Sequence, residues 1–123
     1  MKRVLFAAAG LFAFGGTAQA ADLFSALYGN TLNETVSSGS KAAIYINQDM
    51  TWERHLANGI VIKGTYAWKD AATACFTQTD PAPSAADQAT RCIPEQTAHA
   101  VGDTWTVPGA DGKPATLNLS AGR

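Results

Sequence analysis

The alternation of apolar and polar residues is the feature that most constrains the fold of this chain. Within residues 41–47, apolar side chains at Ala42, Ile44 and Ile46 recur at every second position, as in a strand with two different faces. Similar segments follow at short intervals, and no helical run separates them. A parallel α/β sheet needs a crossover of a dozen or more residues between its strands. The pattern therefore predicts an all-β, antiparallel fold.

Turn signals divide the rest of the chain into further short strands. After residues 41–47, the predicted strands span residues 51–57, 60–68, 73–79, 91–96, 104–107 and 115–119. About seven short antiparallel strands at this spacing are typical of a small β-barrel or sandwich. We therefore expect a small antiparallel β-barrel or sandwich.

A short helix is predicted before the first of these strands. Asp22 suits a helix N-cap, Leu23 and Leu27 lie four residues apart on one helical face, and Gly29 is a suitable stop. We expect one or two helical turns that pack on the barrel as a lid.

The dipeptide Asn58-Gly59 predicts a tight β-hairpin between residues 51–57 and 60–68. Both residues readily adopt the positive φ angles that a two-residue type I′ loop requires. Such a loop also fixes which residues face each other across the hairpin. The predicted pairs are Ala57 with Ile60, His55 with Ile62, Glu53 with Gly64, and Thr51 with Tyr66.

This register decides which side chains face the barrel interior. Glu53 and His55 share a face with the large apolar residues of the second strand, and this face is the predicted interior. The opposite face carries Trp52 together with Arg54 and Lys63, whose charges favour solvent. A bulge or a different turn would instead place Glu53 and His55 outside.

The N-terminus has the pattern of a cleaved secretory signal peptide over residues 1–20. Two basic residues precede an apolar run at residues 4–14, and the segment ends in Ala-Gln-Ala. We expect cleavage between Ala20 and Ala21, which leaves one domain over residues 21–123. The apolar run is shorter than the about 20 residues of a membrane helix, so no stable membrane anchor is expected after cleavage. The predicted location is the bacterial periplasm or the cell exterior.

The charge of the mature chain argues against a nucleic-acid partner. Two of the nine Lys and Arg residues lie in the predicted signal peptide, so seven basic and ten acidic residues give a formal net charge of −3. The basic residues are scattered singly from Lys41 to Arg123, whereas nucleic-acid binding relies on clustered Lys and Arg.

Cys75 and Cys92 predict one disulfide bond. They are the only two cysteines of the sequence, and an exported small domain usually pairs its cysteines. Residues 79–87 between them are rich in Pro, Ala and Asp, which predicts a long loop held at its base. Redox exchange and metal binding are alternatives, but the pair lacks the Cys-x-x-Cys spacing that favours them.

Several short segments resemble a group of small exported bacterial proteins that have a lipocalin-like domain of unknown function. The segments are Gly29-Asn30-Thr31-Leu32, Gly64-Thr65-Tyr66, Gly102-Asp103-Thr104-Trp105, Tyr45 followed by Asp49-Met50-Thr51, and the pair Cys75 and Cys92. They span most of the predicted mature chain. Met50 and Tyr66 depart from the pattern, which has Gly after Asp and Trp in the Gly-x-Trp triplet. The resemblance implies a compact barrel and supplies no activity.

Glu53 and His55 are the candidate acid–base pair. Residues two apart on a strand point to the same side, and a Glu-His pair can transfer protons or hold a ligand. No Gly-x-Ser-x-Gly motif supplies a nucleophile. The possible metal ligands, which include His55 and His99, lack the short His spacing of metal sites. We therefore expect no metal, no cofactor and no enzymatic activity.

The predicted function is a non-catalytic binding or interaction protein, whose partner is a periplasmic or extracellular protein or a small ligand. An exposed surface around Trp52, Arg54 and Tyr45 is one candidate contact site, because Trp and Arg are enriched at protein interfaces. The alternative for Trp52 is that it packs under the N-terminal helix. The loop held by the disulfide, residues 79–91, is another. Two alternatives remain: a small-ligand carrier that uses the barrel interior and, ranked last, a small acid–base hydrolase that uses Glu53 and His55.

Overall fold

The structure, a computed structural model, describes residues 23–84 and 89–123. The predicted signal peptide and Asp22 lie outside the described residues. The described chain forms one antiparallel sheet of eight strands. These are β1 (Thr31–Thr35), β2 (Lys41–Ile46), β3 (Thr51–Leu56), β4 (Val61–Trp68), β5 (Ala74–Asp80), β6 (Thr90–Ile93), β7 (Thr104–Pro108) and β8 (Pro114–Ser120).

The sheet is an up-and-down meander that forms a nearly closed barrel. Its strand order is β6-β5-β4-β3-β2-β1-β8-β7, so β1 pairs with β8 as well as with β2. All consecutive strands are neighbours except β6 and β7, which are the two edges of the sheet in the described chain. We call the gap between these two edges the seam. The predicted all-β, antiparallel architecture is confirmed, and the barrel form is the one adopted.

Aromatic side chains fill the end of the barrel where β1 begins and β2 ends. The Phe24 ring lies 5.4 Å from the Tyr66 ring, 4.7 Å from the Trp68 ring and 6.2 Å from the Phe76 ring, between ring centroids. Burial raises the pKa of Tyr66, and its hydroxyl donates a hydrogen bond to the Asn47 carbonyl oxygen at 3.0 Å. Apolar residues from the surrounding elements complete this core: Leu27, Leu32, Ile46, Ala74, Leu117 and Leu119.

Two predicted elements are corrected by the structure. The barrel has eight strands rather than seven, because β1 was missed: its inward positions are Leu32 and Glu34, so it lacks an apolar alternation. The predicted N-terminal α-helix is also wrong. The described segment has only a 3₁₀ turn at Ser25–Leu27, whose N-cap residue Phe24 makes no side-chain capping hydrogen bond. This turn does pack against the core through Phe24 and Leu27.

The β3–β4 hairpin has a three-residue loop, so the predicted register is wrong by one residue. The Leu56 amide donates to the Ile60 carbonyl oxygen at 2.9 Å, and Gly59 in the loop has a φ of 92°. A three-residue hairpin loop commonly ends in a residue of this left-handed conformation. The observed pairs are His55 with Val61, Arg54 with Ile62, Glu53 with Lys63, Trp52 with Gly64, and Thr51 with Thr65.

A shift of one residue exchanges the two faces of β3. Trp52 now lies on the inner face with Tyr66, where it packs against the core. Glu53 and His55 lie on the outer face, with side chains 36% and 37% exposed. The interior position that the two-residue loop predicts for Glu53 and His55 is therefore wrong, and the alternative, in which a different turn places both outside, is the arrangement observed.

Gly64 is required where β3, β4 and β5 meet. A Cβ atom at this position would meet the Thr77 carbonyl oxygen and lie 2.6 Å from two ring atoms of Trp52. The β4–β5 register also shifts between Lys63 and Gly64. The absence of a side chain therefore allows the Trp52 ring to lie against the β4 backbone.

We expect Gly64→Ala to destabilise the barrel. Insertion of a methyl group into a packed site typically costs about 1–3 kcal/mol. Urea unfolding followed by tryptophan fluorescence would measure this loss, with Thr65→Ala, at an exposed position of the same strand, as the matched control. Equal midpoints for the two variants would contradict the packing of Trp52 on Gly64.

The predicted disulfide bond between Cys75 and Cys92 is confirmed. It joins facing residues of β5 and β6 and closes a loop with a sequence separation of 17 residues. Across the same strand pair, the hydroxyl groups of Thr77 and Thr90 lie 2.9 Å apart. The short edge strand β6 is therefore attached to the barrel by covalent and hydrogen bonds.

We expect loss of the disulfide to lower the free energy of unfolding by roughly 3 kcal/mol, since a loop of this length loses that much closure entropy in the unfolded chain. Chemical denaturation of the oxidised protein and of a Cys75→Ser/Cys92→Ser double variant would measure the difference. If the two proteins unfold at the same midpoint, the bridge contributes no stability and the expectation is wrong.

Candidate binding site

The five candidate binding residues from the sequence lie on two different faces of the barrel. Tyr45, Glu53 and His55 meet on the outer face. The His55 Nε2 atom is 2.8 Å from the Glu53 Oε1 atom, and the Tyr45 and His55 ring centroids are 4.8 Å apart. The Arg123 guanidinium carbon also lies 4.8 Å from the Tyr45 ring centroid.

Trp52 and Arg54 lie on the inner face, apart from the other three residues. The Arg54 Nε and Nη2 atoms both donate to the Glu34 Oε1 atom, at 2.8 and 2.7 Å. The Trp52 indole nitrogen donates to the Thr65 carbonyl oxygen at 2.9 Å. Both side chains are therefore engaged within the barrel. An exposed surface that combines Trp52, Arg54 and Tyr45 is not formed.

The outer Glu-His pair is an open surface pair. The two side chains are over one-third exposed, so solvent screens their interaction. Among the described residues, no group of three His, Cys, Asp or Glu side chains converges as a metal site would require. The same part of the chain contains no helix long and apolar enough to cross a membrane.

The predicted loop site, residues 79–91, is described only at its two ends. Residues 85–88 lie outside the described residues. At the first end, the Gln78 side-chain amide donates to the Pro81 carbonyl oxygen at 2.7 Å. At the second end, the Arg91 guanidinium crosses the seam and donates from Nη2 to the Pro108 carbonyl oxygen at 2.8 Å.

The seam presents backbone groups of β7 that have no strand partner among the described residues. The amides of Leu119 and Gly109 donate to Asp103 and Lys113 across the β7–β8 hairpin, at 3.0 and 2.8 Å. In an antiparallel pair, the residues that bond across the hairpin alternate with residues whose backbone groups point away. The β7–β8 register therefore directs the N–H and C=O groups of Thr104 and Thr106 into the seam.

The same alternation applies to β6. The Gln78 amide donates to the Ala89 carbonyl oxygen at 2.8 Å, which makes Phe76 with Arg91 the next hydrogen-bonded pair. The backbone groups of Thr90 and Cys92 therefore point into the seam from the other side. Both sheet edges thus offer donors and acceptors, and Arg91 bridges the edges at the Pro108 end.

A groove of about 220 Å³ runs along the seam and is lined by residues 93–97, His99 and residues 105–108. We call it the seam groove. Ile93, Trp105 and Val107 face inward at its walls and are only partly buried. Elsewhere in the described barrel, a neighbouring strand on each side helps to cover inward side chains, whereas β6 and β7 are not paired with each other. The groove therefore combines apolar side chains with backbone groups that have no strand partner in the described part of the chain.

His99 and Trp105 form a flat stacked pair in the seam groove. Their ring centroids are 3.5 Å apart and their planes are inclined by 5°. Burial lowers the pKa of His99, and the nearby Asp103 carboxylate, with Oδ2 3.7 Å from Nδ1, opposes part of this shift. The His99 ring is therefore mainly neutral at neutral pH.

Glu95 is the acidic side chain of the seam groove. It is exposed and forms no ion pair with another described residue. Its φ of 59° lies in the left-handed region, which few residues other than Gly occupy. The next amide, of Gln96, donates to the Ala72 carbonyl oxygen at 2.8 Å and holds this turn in place.

Sequence reasoning named none of the groove residues as a binding site. In the sequence, His99 is a possible metal ligand and Trp105 is one of several large aromatic residues, and neither pattern indicates a groove. The sequence does contain one indication of where strand pairing stops: Pro94 directly follows β6 and Pro108 is the last residue of β7, and proline within sheets is confined to edges and strand ends.

No family model, curated protein or solved structure matches this chain. The resemblance to exported lipocalin-like proteins therefore stays a prediction.

We expect acidification to weaken the fold through His99. Because its pKa is lowered in the folded protein, the unfolded chain takes up the proton first as the pH falls through the usual value of about 6.5. The free energy of unfolding then decreases until the folded ring is protonated as well. Urea unfolding between about pH 7.5 and 5.5 would show a smaller decrease for His99→Gln than for the wild type.

An NMR titration provides an independent check of this expectation. The imidazole signals of His99 should titrate below the usual value, and further below it in Asp103→Asn, which removes the opposing carboxylate. A midpoint above about 6.5 in the wild type would contradict the burial of the ring against Trp105.

Proposed function

We propose that this chain is an exported, non-catalytic binding protein that holds its partner at the seam groove. The observation that carries the proposal is the single interruption of strand pairing between β6 and β7 in the described barrel, with a groove of about 220 Å³ along it. The export pattern at residues 1–20 and the disulfide bond support an oxidising compartment outside the cytoplasm.

The seam groove is a better binding site than the outer Glu-His surface. It is concave and combines a few polar groups with apolar side chains, as binding sites commonly do. Glu53 and His55 instead lie on an open strand face, and no described residue completes a catalytic constellation with them. The hydrolase alternative therefore has less support than binding.

The small-ligand carrier remains a second candidate because of one observation. At the end of the barrel opposite the aromatic core, the inward-facing pair of Glu34 and Arg54 offers charged groups to a polar ligand. Small barrels of about eight strands are, however, only just wide enough for their own side chains. Carrier function is therefore the weaker of the two binding proposals.

Site-specific photo-cross-linking in the producing cells would test the proposed function. The cross-linking amino acid p-benzoylphenylalanine replaces Thr106 at the seam groove or, as a matched control, the exposed Asn33 on β1. We expect a discrete adduct from position 106 and none from position 33, because the partner occupies the seam.

Equal adducts at both positions, or none at position 106, would contradict the proposed site. Loss of the position-106 adduct in Glu53→Gln would indicate that the partner binds at the outer face instead. Native mass spectrometry of the purified protein tests the carrier alternative. A bound small molecule that persists in the Thr106 variant would support the barrel interior as the binding site.

A further inference from the structure

The two edges of the seam have the features of a site for an additional β-strand. The N–H and C=O groups of Thr104 and Thr106 point into the seam, and an extended peptide is the ligand whose backbone matches that alternation. Small molecules can satisfy one or two such groups, whereas a strand satisfies the whole edge. The occupant is therefore expected to be an extended polypeptide.

The walls of the seam groove restrict the side chains of that peptide. Successive side chains of a strand point to opposite faces, so every second residue would contact Ile93, Trp105 or Val107. The intervening residues would point outward, beside the exposed hydroxyl of Thr106. The matching segment therefore alternates apolar and polar residues.

Charge complementarity adds a third restriction. Glu95 is an acidic groove residue without an ion-pair partner among the described residues, and His99 is mainly neutral because burial lowers its pKa. Arg91 lies at the other end of the seam, where its guanidinium is bound to the Pro108 carbonyl oxygen. A basic side chain of the peptide would therefore find at Glu95 an exposed carboxylate that forms no ion pair with another described residue.

We propose that the seam binds an extended segment of a partner protein as a ninth strand on the edge of β7, with a Lys or Arg of that segment beside Glu95. This inference rests on the proposed function and names the class of its partner. The added strand is antiparallel to one edge and parallel to the other, because β6 and β7 run in opposite directions in the eight-stranded order.

A library of random linear heptapeptides displayed on phage would test the inference with the purified protein as the target. We expect enriched peptides that alternate apolar and polar residues and contain Lys or Arg. A synthetic peptide of the enriched sequence should shift the backbone amide NMR signals of Thr104 and Thr106. No enrichment above an uncoated surface would overturn the inference.

Peptide backbone methylation then separates strand addition from side-chain contact without any change to the protein. N-methylation of the amides that face β7 should lower the affinity about tenfold or more, whereas methylation of the alternate amides should have less effect. Unchanged affinity after methylation of the amides that face β7 would overturn strand addition.

Two protein variants complete the test. Thr106→Pro removes an N–H that faces the seam and no ladder hydrogen bond, so it should weaken binding while the far-UV circular dichroism stays unchanged. Glu95→Gln should weaken binding of the Lys-containing peptide about two- to fivefold, and of its norleucine analogue not at all. Equal effects on both peptides would overturn the role of Glu95.

The results distinguish the two proposals. An adduct at position 106 in cells, together with peptides that bind equally well after N-methylation, would leave the seam as the binding site and overturn strand addition. Absence of both the adduct and the peptide enrichment would overturn the proposed function itself.

Discussion

The pairing of β1 with β8 is the constraint on which the rest of this structure depends. It joins the two ends of the meander, from Thr31 with Ser120 to Thr35 with Thr116, and thereby turns a sheet into a nearly closed barrel. Among the strands of the described chain, closure removes exposed edges everywhere except between β6 and β7. Because closure of the ring is the device by which small barrels hide their edges, the remaining seam is the place where this barrel can still form strand hydrogen bonds.

The seam is stabilised from both sides without being closed. β6 is only four residues long, but the disulfide bond and the Thr77–Thr90 contact attach it to β5. Across the gap, Arg91 makes a side-chain contact with the Pro108 carbonyl oxygen. Pro108 has no backbone N–H to donate to β6. The Arg91 side chain therefore makes the connection between the two edges that backbone hydrogen bonds do not make. Short strands and terminal prolines limit uncontrolled edge pairing, while Thr104 and Thr106 leave a short stretch of edge available.

The sequence predicted the fold more completely than the site, and the residues show why. Alternation and turn signals are local, so seven of the eight strands, the antiparallel class and the disulfide could be predicted from them. β1 could not, because the inward position of Glu34 is set by its partner Arg54 on a strand 20 residues away. The hairpin loop shows the limit of local reasoning. Asn58-Gly59 suits a two-residue loop, and the inclusion of Ala57 in the turn reversed the faces of Trp52 and His55.

The seam groove could not be predicted because it results from a pairing that is missing. Each residue that forms it is ordinary in sequence: a threonine edge, a tryptophan on a strand, a histidine in a loop. Their combination depends on the closure of β1 with β8, which fixes where the two edges face each other. In a site of this kind, different groups provide the affinity and the specificity. Backbone groups of an edge bind many extended segments, so Glu95 and the spacing of Ile93, Trp105 and Val107 must supply the discrimination between them.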